Sequence, residues 1–404
     1  MSGTGGDFNV AGPIRKSTLK VLTGMLVMSG MAGVAVRPLT AQNPGVANQN
    51  AGFVYTETNA AANSILVFKR AENGSLSLAA TVPTGGAGGG VVSVGSQGTL
   101  ALSKDGRWLF AANEGDNTIS VLKRTPEGLK LAGKVSSHGT LPVSITVSRN
   151  LVYVLNDGTA ASASNPSPAN ISGFFFDAFH GRLYPIPNST RELSAPYPTV
   201  PVAGPDAAEI HFNNTGRLLY VAEVGTSLID TYAIKPDGTP GEDAPQASDG
   251  NAPFAFAFDH QDNLIVTEIQ ETSGIVGTGS VTSYELDRGG VLETISGSVP
   301  DFQSAPCWLE ITGDGRYAYA VNAASSVISG YKVSPRGELT LLGSGVTGTS
   351  PHPLDIAFTR NSRYLYNVSG SGALIGFRVN EDGSLTSLGQ VATIPSTSRG
   401  LIAR

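Results

Sequence analysis

The chain has 404 residues, with 50 Gly, 24 Pro, 14% charged and 40% apolar residues. So many glycines with so few charges exclude a coiled coil or helical solenoid, and the apolar share is enough to bury a large core. A net charge of −6 from 26 basic and 32 acidic residues offers no basic surface for nucleic acid, and a single cysteine, Cys307, excludes an internal disulfide.

Arg15, Lys16 and Lys20 precede a charge-free run over residues 21–36, followed by small residues at Thr40 and Ala41. This is the grammar of a secretory signal, removed after Ala41, so residues 1–41 are expected to direct export to the periplasm or medium. An uncleaved anchor is the rival reading, although the run is short of the roughly 20 residues a bilayer span needs. Residues 42–51, polar with Pro44 and Gly45, read as a linker.

From residue 52 onward one pattern repeats. Strand-like alternation appears at Phe53-Val54-Tyr55-Thr56, and again in the runs beginning at Trp108, Leu151, Leu218, Leu264, Tyr317 and Tyr364. A second strand rich in β-branched and aromatic residues follows each, and then a glycine: Gly74, Gly128, Gly181, Gly238, Gly290, Gly337 and Gly383. Glycine supplies the positive φ of a hairpin turn. Pro240-Gly241 replaces the usual leucine after the fourth of these turns, so that copy's outer strand is expected to be irregular.

Six copies carry an upstream strand ending in a turn such as Asp105-Gly106-Arg107 or Asp314-Gly315-Arg316; the first copy has none. Leu401 to Arg404, following Gly400, can supply it. The pattern therefore predicts an all-β, seven-bladed β-propeller over residues 52–404, with four antiparallel strands per blade and the first blade closed by the C-terminal strand. A β-solenoid has a shorter repeat without hairpin turns.

In such a ring the glycine turns lie on one face. The connections between second and third strands, and between blades, lie on the other and are expected to surround the mouth of a central channel, where a ligand would bind. Acids and histidines map there: Glu223 and Glu268 end second strands, Glu209, His211, Trp308, Glu310, His352 and Asp355 lie on or near inner strands, and Arg399 precedes the closing strand. Glu209 and His211 fall on one side of an inner strand, about 7 Å apart, close enough to share a small substrate. A carboxylate, a histidine and an arginine could supply the base, the acid and the oxyanion donor of ester hydrolysis. The competing reading is a strand-start carboxylate that binds neighbouring backbone amides. The five histidines show no metal spacing, no phosphate cradle follows Gly85 to Gly90, and no metal or cofactor is expected.

The Asp-Gly-Arg turns, the Asn-Thr-Ile-Ser-Val strand at residues 117–121 and the Asp-Gly-Ser-Leu turn at residues 382–385 resemble those of the seven-bladed lactonase propellers, which include phosphogluconolactonases and carboxymuconate lactonising enzymes. The resemblance covers residues 52–404 and implies hydrolysis of a small lactone at the channel mouth by a monomeric protein, free of the membrane once the signal is removed. By resemblance Glu223 matches the family's acidic position; with the positions read from the strands, Glu223, Glu209 and His211 are the expected catalytic group and Glu268, Trp308, Glu310, His352, Asp355 and Arg399 the expected substrate contacts. Ala208-Glu209 stands where the phosphogluconolactonase branch has Arg-His, and Ala222 where it has Asn, which argues against a sugar phosphate. The alternative is a secreted propeller that has lost the chemistry and serves as a binding scaffold.

Overall fold

The computed structural model describes residues 50–90, 96–126, 128–158, 167–193, 206–269 and 277–404. The chain divides into Met1–Pro44 and Gly45–Arg404, and the described residues all belong to the second unit. The expected signal and nearly all of the linker lie outside them. Every regular element among them is a β-strand.

The strands form seven sheets. In six of them the second strand is fully or almost fully buried, as in Trp108–Asn113, Leu218–Glu223 and Tyr317–Asn322, and in the first blade it is buried from Val54 to Glu57, while the fourth strand is largely exposed. This gradient explains the sequence pattern, since a second strand packs on both faces against neighbouring blades and reads as a near-continuous apolar run. The inner strands touch one another all round the ring. All seven turn glycines have the expected positive φ.

A hydrogen bond repeated between blades accounts for the aromatic residue of the second strand. Tyr153, Tyr220, Tyr319 and Tyr366, all fully buried, donate their hydroxyls to the carbonyls of Gly238, Gly290, Gly383 and Gly74 at 2.6, 3.4, 2.8 and 2.7 Å. Each acceptor is the turn glycine of the following blade. At Gly383 the φ of 83° and a would-be Cβ 2.5 Å from the Tyr317 ring leave room for no side chain.

The ring closes as the sequence predicts. Arg399–Ala403 pairs antiparallel with Asn50–Glu57, placing Ala403 opposite Val54 and Leu401 opposite Thr56, and Phe53 and Arg404 exchange both backbone hydrogen bonds at 2.7 Å. The fourth outer strand is broken, into Pro240–Asp243 and Gln246–Ala247. The third is likewise broken, into Arg182–Pro185 and Arg191–Glu192, which its ordinary turn did not announce.

Candidate active site

The inner strand of each blade is an edge, and its N–H groups facing the axis need acceptors. Side chains of neighbouring blades supply them. Ser144 accepts from Ile210 N at 3.2 Å, Glu209 from Phe256 N at 2.7 Å, and Asp355 from Leu401 N at 3.1 Å as well as from its neighbour Ile356 N at 2.8 Å. The amide-binding reading of the strand-start carboxylates therefore holds for Glu209 and Asp355.

Around the axis these strands enclose a cavity of about 360 Å³ to which all seven contribute. Glu209, His211, Glu310 and Asp355 line it, so four of the expected site residues converge there. Alternation along Ala207–Phe212 carries Glu209 and His211 into it together, as expected. The rest of the wall is mainly apolar, including Ile145, Phe256 and Leu401, and holds no lysine or arginine.

On the loop face the chain itself crosses the channel. Gln97 donates its backbone N–H to Ala208 O at 3.1 Å, and its side-chain amide pairs with Leu309 by donating to the carbonyl at 2.8 Å and accepting from N–H at 2.9 Å. The Trp308 indole donates to Ser96 O at 3.0 Å. Thus Trp308, 4% exposed, anchors this crossing rather than offering a free face to a ligand. Exposure rises toward the opposite end, where His211 is exposed and Val147, Ile311 and Ile402 are half-buried. Among the described residues the accessible end of the cavity is thus on the turn face, whereas the sequence reading set the mouth on the loop face. Strand periodicity carries no sign that a connection between blades folds inward.

Burial raises the acids of the cavity, and mutual repulsion adds to it. Glu310 is pushed up to about 8 by desolvation and then by Asp355, and Asp355 to about 7 by desolvation. Glu209 lies well above its usual range through burial, with Glu310 and Asp355 contributing. His211 touches channel solvent but is ringed by protein, and desolvation lowers its pKa. Its Nδ1 lies 2.7 Å from the Phe212 carbonyl. A carbonyl only accepts, so Nδ1 carries the proton and neutral His211 keeps its lone pair on Nε2.

The remaining expected residues lie outside this lining. Glu223, fully buried, accepts from Thr226 Oγ1 at 2.6 Å and is raised to about 8 by desolvation and by Asp230. Register places Asn113 and Asn322 at the same point of their blades, where each donates to a third-strand serine, Ser120 or Ser329, at 2.8 Å. Glu223 and Asp230 replace that Asn–Ser pair. Glu268 is wholly buried and accepts from Gly250 N and the hydroxyls of Ser248, Ser280 and Ser298, a set of donors that accounts for its burial. Arg399 forms a buried ion pair with Glu114 on the loop face, near Glu57, whose carboxyl burial raises to about 8. His352 is exposed with φ 44°, and Cys307 is buried. No cluster able to hold a metal ion occurs among the described residues. Gln97 and Glu57 escaped sequence reasoning, because Gln97 lies in a connection between blades and Glu57 ends the second strand of the first blade, one residue past the Phe53–Thr56 run.

The sequence profile of the lactonase, 7-bladed beta-propeller family matches residues 45–164, 188–278 and 276–400. The chain belongs to this family. A curated relative, the 6-phosphogluconolactonase of Pectobacterium atrosepticum, is 23% identical over 186 residues, covering 44% of this chain and 54% of the relative, so the match spans about half of the relative's length. The periplasmic gluconolactonase PpgL of Pseudomonas aeruginosa superposes with a TM-score of 0.66 at 18% identity, covering 87% of this chain and 99% of that one. A candidate 6-phosphogluconolactonase from Bacteroides uniformis gives a TM-score of 0.64 at 22% identity, with 87% and 99% covered. At these identities the structural likeness is one of fold.

Proposed function

We propose that this lactonase-family protein hydrolyses a small, uncharged lactone in the axial cavity, entering from the turn face. The observation that carries the reading is the convergence of His211 and Glu310 on one axial cavity. Neutral His211, with its lone pair on Nε2, takes a proton from water as the water attacks the lactone carbonyl. Glu310, protonated up to about pH 8, gives its proton to the ring oxygen as the acyl C–O bond breaks. Glu209 and Asp355 hold the adjacent inner strands and keep this pair in place. A wall without lysine or arginine favours a neutral substrate over a phosphorylated one.

The occupation of Glu209 and Asp355 by backbone amides favours the second reading, a binding propeller without turnover. Assaying a panel of neutral γ- and δ-lactones with the purified protein separates the two: turnover supports hydrolysis, and ligand binding without turnover supports the scaffold.

Export belongs to the same proposal. It is supported by the basic residues and uncharged run at residues 15–36 and by the periplasmic location named for the PpgL relative. N-terminal sequencing of the exported protein should read from residue 42, and a mature cytoplasmic protein that begins at Met1 would refute it.

A further inference from the structure

A second cavity, of about 550 Å³, opens on the turn face between the third and fourth blades. Its lining includes Arg149, Arg217, Lys235 and Arg288, with Asp237 as its one acid. It adjoins the axial cavity along the chain, since Val147 lines one and Ser148 the other. In a protein of net charge −6, four cations around one cavity reverse the local sign.

These cations are not neutralised as their counterparts are. In the second and sixth blades the arginine of the Asp-Gly-Arg turn is held by its own aspartate, Arg107 Nε to Asp105 at 2.5 Å and Arg316 Nε to Asp314 at 2.6 Å. In the fourth blade Thr215 takes the aspartate's place; its hydroxyl donates to Asn213 Oδ1 at 3.0 Å and accepts from the backbone N–H of Arg217 at 3.3 Å, and it brings no charge to the guanidinium. Among the described residues none of Arg149, Arg217, Lys235 and Arg288 forms an ion pair. The carboxylate of Asp237 is engaged by Thr239, through N–H at 2.9 Å and the hydroxyl at 2.7 Å. Phe175, 45% exposed, adds an aromatic surface to the wall.

We propose that this cavity binds an acidic saccharide of one or two rings that carries at least two carboxylate or sulfate groups. Arginine forks pair with such groups in two-point contacts, and an aromatic surface receives the apolar side of a sugar ring. The volume lies within the range of small-ligand pockets. Asp262, which accepts from Asn214 N in the turn that carries Arg217, and Asp287, the chain neighbour of Arg288, set negative charge beside these cations against a long polyanion such as nucleic acid. The inference does not depend on lactone hydrolysis.

Isothermal titration of the full protein with digalacturonate, a sulfated chondroitin disaccharide and neutral galactobiose tests it. One or both acidic sugars should bind and galactobiose should not, the better of the two identifying the anionic group. Arg149→Gln combined with Arg217→Gln should weaken that binding at least ~10-fold, and Phe175→Ala at least ~3-fold, with melting unchanged because all three side chains are exposed. Absence of binding by either acidic sugar, equal binding of galactobiose, or binding undiminished in the double variant would overturn the proposal. Lactone hydrolysis, measured in the same variants, should be unaltered.

Discussion

At the residue scale, the question is which carboxyls face substrate and which face the protein. Glu310 lines the cavity with its pKa raised to about 8, while Glu223 sits at a position that the second, third and sixth blades fill with asparagine. Glu310→Gln should lower kcat at least ~100-fold, whereas Glu223→Gln, which replaces a protonated acid by a near-isostere, should stay within about threefold. Steady-state kinetics of both variants decide this, and the reverse ranking would move the chemistry to the fourth blade's outer cluster. The pH profile carries a second prediction. The proposed mechanism requires neutral His211, whose pKa burial lowers from 6.5, and protonated Glu310, so kcat/KM should climb with pH at the acid end and fall again near 8. Glu310→Gln should remove the alkaline limb from the residual activity. Alternation along one strand made Glu209 and His211 legible as neighbours. The amide-binding roles of Glu209 and Asp355 depend on the adjacent blade, which no local pattern in the sequence contains.

At the element scale, closure rests on two devices. The C-terminal strand Arg399–Ala403 completes the first sheet, and Tyr366 and Tyr364 of the seventh blade donate to Gly74 and Glu72 of the first, both at 2.7 Å. Deleting residues 400–404 strips Asn50–Glu57 of its inner partner and should lower Tm by at least ~5 °C; a truncated protein that melts like the full chain would refute strand closure. Tyr366→Phe leaves the buried Gly74 carbonyl without its donor and should cost about 1–2 kcal/mol in chemical denaturation. The strand order was readable because each element repeats seven times and the first copy lacks its inner strand. The broken third outer strand was not, since exposed edge strands carry little apolar pattern, and neither was the crossing at Ser96–Gln97, whose hydrogen bonds to the sixth blade span 212 residues of sequence.

For the whole molecule, the balance of buried acids sets an unusual response to pH. Glu57, Glu223 and Glu310 are each raised from 4.5 to about 8, so the folded protein holds more protons than the unfolded chain across that window. Stability is fully present below pH 4.5 for these groups and is lost as pH climbs toward 8. The turn aspartates act in the opposite sense at lower pH. Asp105, lowered from 3.8 to about 2 by bonds from Ser103 and Arg107, withdraws its contribution only as pH falls through that range. Tm should therefore be highest near pH 4–5 and decline steadily to pH 8, as differential scanning calorimetry would show; a Tm that rises from pH 5 to 8 would mean that these carboxyls are ionised in the fold.

In the proposed mechanism a general base and a protonated acid meet in the axial cavity to open a neutral lactone. Its most direct test is the hydrolysis rate of a γ- and δ-lactone panel by the wild type and by His211→Gln, each checked for unchanged melting. Turnover of at least one neutral lactone by the wild type and a loss of at least ~100-fold in kcat for the variant are expected. Turnover that survives His211→Gln undiminished, or a wild type that binds lactones and hydrolyses none, would contradict it.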